Sequence, residues 1–300
     1  MGAIAITPPA PLPARRALRY RAEYLGFRLV AALLRAMPVE RAADLSGALW
    51  RKVAPLMSRH KRALRHLAAA FPDRTEAERE AIALGMWDNL GRVFAEAMHI
   101  DAFVTQPERI EVPPETQALL GRVRRGGVLV SYHCANWELL AAASLASDVP
   151  LAGLYQGVKN PLVDAWVTGL RAPIYPLGLF AKSTDTPRRL LRILRGGGVL
   201  SLLVDLRDAR GIPVAFFGRP APSTTFPALL ARSEDVPLLV GRLVRLPGSR
   251  FRAELVEIGH ARTQDRAADV AATTAAIQVQ IEAWIREEPA HWMWAHRRWG

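Results

Sequence analysis

The spacing of apolar positions changes its period along the chain, and the change divides the sequence. From residue 15 to residue 37 the repeat is helical. Leu25, Leu29, Ala32, Leu33 and Ala36 gather on one side, while Arg21, Arg28 and Arg35, seven apart, share another. Such a helix fits two settings: a membrane interface, with the basic stripe at the headgroups, or a domain surface with a solvated basic face. No uninterrupted apolar run reaches the ~18 residues of a spanning helix; the best stretch, 25–37, is short and contains Arg28 and Arg35. Residues 1–14, broken by Pro8, Pro9, Pro11 and Pro13 and without a basic start, read as a loose tail rather than a cleavable signal peptide. Residues 38–111 continue as a helical part, with a Pro72-Asp73 break and then a capping-box start at Thr75 and Glu78.

After Val112 the texture becomes β-branched runs divided by Gly and Pro, predicting strands over 128–132, 151–155, 199–204, 214–217, 238–246 and 251–258. Helical patterns fall between them, near 137–147, 160–171, 186–195 and 226–233. This alternation predicts an α/β fold with an at least partly parallel sheet over 112–264, followed by a C-terminal helix and a Trp/Arg tail over 265–300. Two segments, "LLGRVRRGGVLVSYH" (119–133) and "LLRILRGGGVLSLLVD" (190–205), share one design: a basic helix end, a glycine stop and a buried strand ending in a polar residue. Those residues are His133 and Asp205. Carboxyl ends of strands are where α/β sheets gather their ligands.

Composition narrows the setting. Three hundred residues, half of them hydrophobic, support one large α/β domain or two small ones. The single cysteine, Cys134, leaves no intramolecular disulfide and no multi-cysteine metal site, as expected of a reducing compartment. Forty Lys and Arg against 28 Asp and Glu give +12, which favours an anionic partner. The excess is early: Arg51, Lys52, Arg59, Lys61, Arg62 and Arg65 face no acid between residues 51 and 66.

The chemistry centres on "HCANWE", residues 133–138. Asn136 is a suitable N-cap, so a helix is expected from Trp137, with His133 in the strand-to-helix turn and Glu138 in the first helical turn. The two side chains either form an acid–base pair, Glu138 fixing the imidazole tautomer, or are a strand end and an ordinary helix start. No G-x-S-x-G, H-E-x-x-H, P-loop or G-x-G-x-x-G occurs. A reaction needing only a base and a pre-activated partner fits best, such as acyl transfer from a thioester to a hydroxyl. The tail "HWMWAHRRW" (291–299) suits a headgroup belt, base stacking or core packing, and the loop "FFGRPAPSTT" (216–225) places Arg219 near hydroxyls that could hold a phosphate.

"HCANWE" resembles the H-x4-D/E motif of glycerolipid acyltransferases, in the form found in bacterial lipid A biosynthesis acyltransferases, the lauroyl and myristoyl transferases. "YLGFRLVAALLRAMP", "NLGRVFAEAMHI", "YQGVKNPLVDAWVTGLR", "GIPVAFFGRPAPSTTFPALLAR" and "HWMWAHRRW" resemble that family in its order, over about residues 20–299. The resemblance implies a glycerolipid-acyltransferase α/β sandwich with a helical, membrane-anchoring N-terminal region, at the cytoplasmic face of an inner membrane. It implies His133 as general base with Glu138 orienting it, and Arg171, Asp205, Asn136 and Arg219 in contact with substrate. It implies no metal and no cofactor beyond the acyl donor, acyl carrier protein or acyl-CoA. The expected partners are acyl carrier protein, a lipid A precursor and an anionic membrane surface. Relatives read Asp-Gln where this chain has Asp205-Leu206. The competing readings are another acceptor, a phosphatidylinositol mannoside or lysophospholipid, and a basic Trp-rich nucleic-acid-binding protein.

Overall fold

A computed structural model describes residues 13–299, so most of the expected N-terminal tail lies outside the described residues. The chain begins with five helices: α1 (Ala14–Arg35), α2 (Val39–Val53), α3 (Ser58–Ala70), α4 (Glu76–Ala97) and α5 (Ile100–Thr105). Then helices and strands alternate: β1 (Ile110–Glu111), α6 (Pro114–Val123), β2 (Gly127–Ser131), α7 (Leu139–Ala146), β3 (Leu151–Tyr155), α8 (Pro161–Arg171), β4 (Leu179–Ala181), α9 (Thr186–Arg195) and β5 (Val199–Leu203). A hairpin of β6 (Ile212–Phe216) and β7 (Arg219–Ser223) precedes α10 (Phe226–Glu234), β8 (Leu238–Leu246), β9 (Arg250–Glu257) and α11 (Arg266–Glu287). The fold is mixed α/β with a helical N-terminal region. Its seven-stranded sheet runs β1-β9-β8-β2-β5-β3-β4, parallel except for the β8–β9 hairpin.

The central strands are apolar throughout because both sheet faces are covered. Val128 and Val130 of β2 point into one core with α3, α4, α9, α10 and α11, whereas Leu129 points into the other with α5, α6 and α7. The segment 214–217 departs from expectation: it pairs only with β7 and stays out of the large sheet. Thr75 and Glu78 form the capping box that starts α4, Thr75 Oγ1 accepting from Glu78 N–H and Glu78 accepting from Thr75 N–H.

Helix α1 keeps Arg21, Arg28 and Arg35 of its basic stripe exposed and lays part of the stripe beside α5 and α8. Phe27, Ala31 and Leu34 pack toward Phe94, Met98 and, on α8, Trp166 and Leu170. Arg28 lies 5.3 Å over the Trp166 ring and donates to Tyr24 Oη at 2.9 Å. Arg35 pairs with Asp101 at 2.8 Å and donates to the Met98 carbonyl. Two of the three arginines are therefore engaged by the protein, because ion-pair and aromatic partners on α5 and α8 lie within reach of the helix flank. The face left outward is leucine: Leu18, Leu25, Leu29 and Leu33 are each at least 60% exposed. Among the described residues no helix is long and apolar enough to cross a membrane.

Helices α2 and α4 cross closely because each contributes a glycine. A Cβ on Gly91 would stand 2.5 Å from the Ser46 carbonyl oxygen and 2.8 Å from Gly47 Cα, both backbone atoms of α2. On Gly121 of α6 the same Cβ meets nothing within 4 Å. Gly91→Ala should therefore destabilise the protein by roughly 1–3 kcal/mol as overpacking. Gly121→Ala should stabilise it by up to about 1 kcal/mol through helix propensity. Denaturant midpoints of the two variants, measured side by side, test the opposite signs.

Candidate active site

Strands β2 and β5 pair in parallel with a constant offset of 72 residues, from Gly127 opposite Val199 to Ser131 opposite Leu203. Carried two residues past the strand ends, the same register sets His133 against Asp205. Asp205 accepts from His133 N–H at 3.0 Å through Oδ2 and meets His133 Nδ1 at 2.8 Å through Oδ1. An ionised carboxylate only accepts, so Nδ1 carries the proton and Nε2 is the free base. Burial disfavours the imidazolium, but the charge and hydrogen bond of Asp205 outweigh it, and Glu138 adds its charge; the His133 pKa is raised. Burial pushes Asp205 the other way, toward neutrality, yet His133 and the Trp292 indole hold it well below the usual carboxylate range.

The expectation that Glu138 orients His133 is corrected by this geometry. Glu138 accepts from Arg171 Nε at 2.8 Å, from Arg171 Nη2 at 2.7 Å and from the Trp137 indole at 3.1 Å. His133 Nδ1 is already bonded to the strand-end carboxylate beside it, which leaves Glu138 acting on the imidazole by charge. Arg171 closes α8, whose N-cap Asn160 accepts from Leu162 N–H and donates to the Tyr20 carbonyl of α1 at 2.9 Å. Burial works against the Arg171 cation and the Glu138 charge outweighs it, so its pKa is raised. Asp205, expected to touch substrate, is buried with both oxygens bonded to protein groups, and it fixes the His133 ring.

The turn 132–138 is held from below. Helix α7 starts at Leu139, two residues later than expected, and Asn136 does not cap it with its side chain. Asn136 is buried and donates to Glu96 at 2.9 Å, which removes it from the substrate contacts expected of it. Glu96, also buried, is bonded by Arg245 and by Ser249 Oγ. Ala135 adopts φ 40°, a left-handed conformation that costs an L-residue about 1–2 kcal/mol. Both of its polar groups are anchored: its N–H donates to the His291 carbonyl at 3.1 Å and its carbonyl accepts from Asn89 Nδ2 at 3.1 Å.

The C-terminal tail is a strap over this turn, and that corrects the surface roles open to it. Met293 N–H donates to the His133 carbonyl, and the Trp292 indole donates to Asp205 Oδ2 at 2.8 Å. Trp292, Trp294 and Trp299 are all buried, packed with Phe216 and Phe217. No indole of the tail is presented for base stacking or for a headgroup belt. Arg298 is fully buried without a carboxylate partner among the described residues. It donates to the Pro222 carbonyl, Ser223 Oγ and Gln278 Oε1, and Gln278 in turn donates to the carbonyl of Val204, next to Asp205. Burial lowers the Arg298 pKa to about 10, and the charge of Asp205 acts against that shift. Ser223 is thereby turned inward, which removes one of the loop hydroxyls from the expected cradle with exposed Arg219. The His296 ring lies 5.1 Å from that of His133; burial and the nearby cations His133, Arg59 and Arg62 lower its pKa to about 4. Cys134 is buried with its thiol pushed up to about 12, first by burial, and is no nucleophile. Met86, Asn89, Leu90, Trp137, His291, Trp292 and Met293 close around His133 on this side, leaving no room for a water molecule.

Sequence reading assigned no role to Asn89, Glu96, Arg245, Gln278 or Arg298, although Asn89 and Glu96 lie in "NLGRVFAEAMHI" and Arg298 in "HWMWAHRRW". The only signal for the strap was its aromatic density. A mostly parallel α/β sheet with a carboxylate-held histidine at its strand ends is the frame of an acyl-transferring enzyme. The profile of the bacterial lipid A biosynthesis acyltransferases matches residues 10–300, nearly the whole chain, and the protein belongs to that family. Among curated proteins, no match was found.

If His133 serves as the general base it must be neutral, and acyl transfer should then fall as pH drops through its raised pKa, that is, at a midpoint above the ordinary histidine value of ~6.5. Asp205→Asn presents an amide donor to Nδ1 and favours the tautomer protonated on Nε2. Its kcat/KM should drop roughly 10²–10⁴-fold, with the residual acid limb moved to lower pH. A pH–rate profile of the two proteins decides; near-wild-type turnover in the variant would exclude Asp205 as the orienting group.

Proposed function

We propose that this acyltransferase moves a fatty acyl chain from a carrier-protein thioester to a hydroxyl of a lipid A precursor, working at the cytoplasmic face of the inner membrane. The observation that carries the reading is the His133–Asp205 pair, which leaves Nε2 of a half-buried imidazole with a raised pKa free at the strand ends. His133 Nε2 takes the acceptor's O–H proton as the oxygen attacks the thioester carbonyl. The tetrahedral intermediate then expels the thiolate as the C–S bond breaks, and the imidazolium returns its proton to sulfur. No metal or further cofactor takes part in these steps. Glu138, clamped by Arg171, sustains the imidazolium by charge, and Arg171 organises the site through that clamp. The +12 charge suits an acidic carrier protein and an anionic lipid surface.

Arg171→Ala should lower kcat rather than only raise the acceptor KM, and Arg171→Lys should rescue little, because one ammonium cannot supply the two parallel bonds to Glu138. The reading itself is tested by incubating purified protein with acyl-carrier protein and a lipid A precursor and weighing the product by mass spectrometry. One added acyl chain is expected, lost by at least ~100-fold in His133→Ala. Transfer undiminished in folded His133→Ala, or no transfer by the wild type, refutes it.

Membrane binding is assigned to the leucine face of α1. Full burial of a leucine contributes about 1.5–3 kcal/mol; a third of that at each of Leu25, Leu29 and Leu33 totals roughly 2 kcal/mol, more than tenfold in partitioning. Leu25→Asn/Leu29→Asn/Leu33→Asn should therefore leave flotation with anionic liposomes largely abolished and the circular dichroism unchanged. Flotation equal to wild type would exclude α1 as the anchor.

A further inference from the structure

Helix α3 and hairpin β6–β7 are far apart in sequence and are joined by the C-terminal strap. Arg62 donates to the Ala295 carbonyl at 3.2 Å, and His66 Nδ1 lies 2.9 Å from the Trp294 carbonyl. The Trp299 ring packs against His66, ring centres 5.2 Å apart, and lies under the Arg219 guanidinium at 5.7 Å. Arg59, Arg62 and Arg65 recur every three residues on α3, so they share one side of the helix with this contact. Their charges converge on it: Arg62, Arg65 and Arg219 act on His66, while Arg59 and Arg62 act on His296, whose ring touches that of the base His133.

Arg59, Arg65 and Arg219 are exposed, and among the described residues none of the three makes an ion pair. Glu80, the carboxylate that α3 does meet, is spent on His60. Gathered cations left unpaired repel one another, and an anion relieves the repulsion. The surroundings identify the anion. Leu56, 86% exposed, lies three residues before Arg59, across the extended Met57, and follows the exposed apolar residues of α2, Leu45, Leu49 and Val53. An apolar edge running directly into a cationic rim matches a molecule with acyl chains and a phosphate ester side by side.

We propose that Arg59, Arg65 and Arg219, backed by Arg62, form a rim that binds the phosphate of the acceptor lipid while its hydroxyl reaches His133 past His296. The proposal rests on the reading that the acceptor is a lipid hydroxyl. The test compares Arg59→Glu/Arg65→Glu/Arg219→Glu with a control of identical charge change, Arg188→Glu/Arg189→Glu/Arg192→Glu on exposed α9. The first measurement involves no chemistry: binding to phosphatidylcholine vesicles with and without phosphatidic acid. The rim variant should lose the phosphatidic acid-dependent gain by about tenfold or more, and the α9 variant should keep most of it. The second is kinetic: the rim variant should raise the acceptor KM about tenfold, with kcat and donor KM near wild type, and three lysines at the same positions should restore most of the loss. Equal losses in the two glutamate variants would reduce the rim to general attraction and overturn the proposal. A rise confined to the donor KM would assign the rim to the carrier's phosphate and overturn it as well. So would inorganic phosphate displacing the wild type from phosphatidic acid vesicles at concentrations that leave the rim variant's residual ionic attraction intact, since the site would then be one for a free anion. Were acyl transfer itself absent, the vesicle comparison would still decide the rim.

Discussion

The structure depends on one buried carboxylate. Asp205 has left water entirely, and an uncompensated charge there would cost several kcal/mol, so each of its donors is a structural requirement. Those donors come from two distant places: the His133 backbone and ring at the end of β2, and the Trp292 indole in the last ten residues of the chain. The β2–β5 register supplies the first two. A slip of one residue in that pairing would turn the inward side chains to the opposite face, so both cores guard the register as well as the site. The third requires the strap, and the strap is held by its own burial of Trp292, Trp294 and Trp299 and by Arg298 reaching back through Gln278 to the carbonyl preceding Asp205.

A second charge pair connects the site to the surface. Glu138 and Arg171 are largely buried and bonded through two parallel contacts. Buried pairs of this kind contribute little net stability relative to apolar packing, so the reason for this one is geometric. Arg171 sits at the end of α8, Trp166 and Leu170 of the same helix pack against α1, and Asn160 ties the start of α8 to the α1 backbone. The helix that carries the exposed leucines is thus one packed element away from the clamp beside the base. The candidate site and the exposed leucine face are connected through α8 rather than by a flexible linker.

How much of this was legible follows from the range of the forces involved. The apolar runs of β2, β5 and β8, the glycine stops before them and the capping box at Thr75 act over a few residues, and they predicted the α/β class, most of the strands and the placement of His133 and Asp205 at strand ends. The motif around "HCANWE" and the quoted stretches pointed to the family, whose profile covers nearly all of the chain. Residue 214–217 misled because strand propensity says nothing about which sheet a strand joins.

What the tertiary structure alone decided was the choice among partners. Two carboxylates competed for one imidazole; proximity in sequence favoured Glu138, and the 72-residue register gave the bond to Asp205. Helical period placed Arg28 and Arg35 on one flank of α1, but which groups they meet there, Trp166 and Asp101, depended on α8 and α5 folding against it from far along the chain. The tail's tryptophans and Arg298 could be read as surface or core until the aromatic cluster enclosed them. Local pattern determines what a segment is; which of several equivalent groups it touches is determined by long-range packing, where differences of a few kcal/mol are settled only once the whole core has formed.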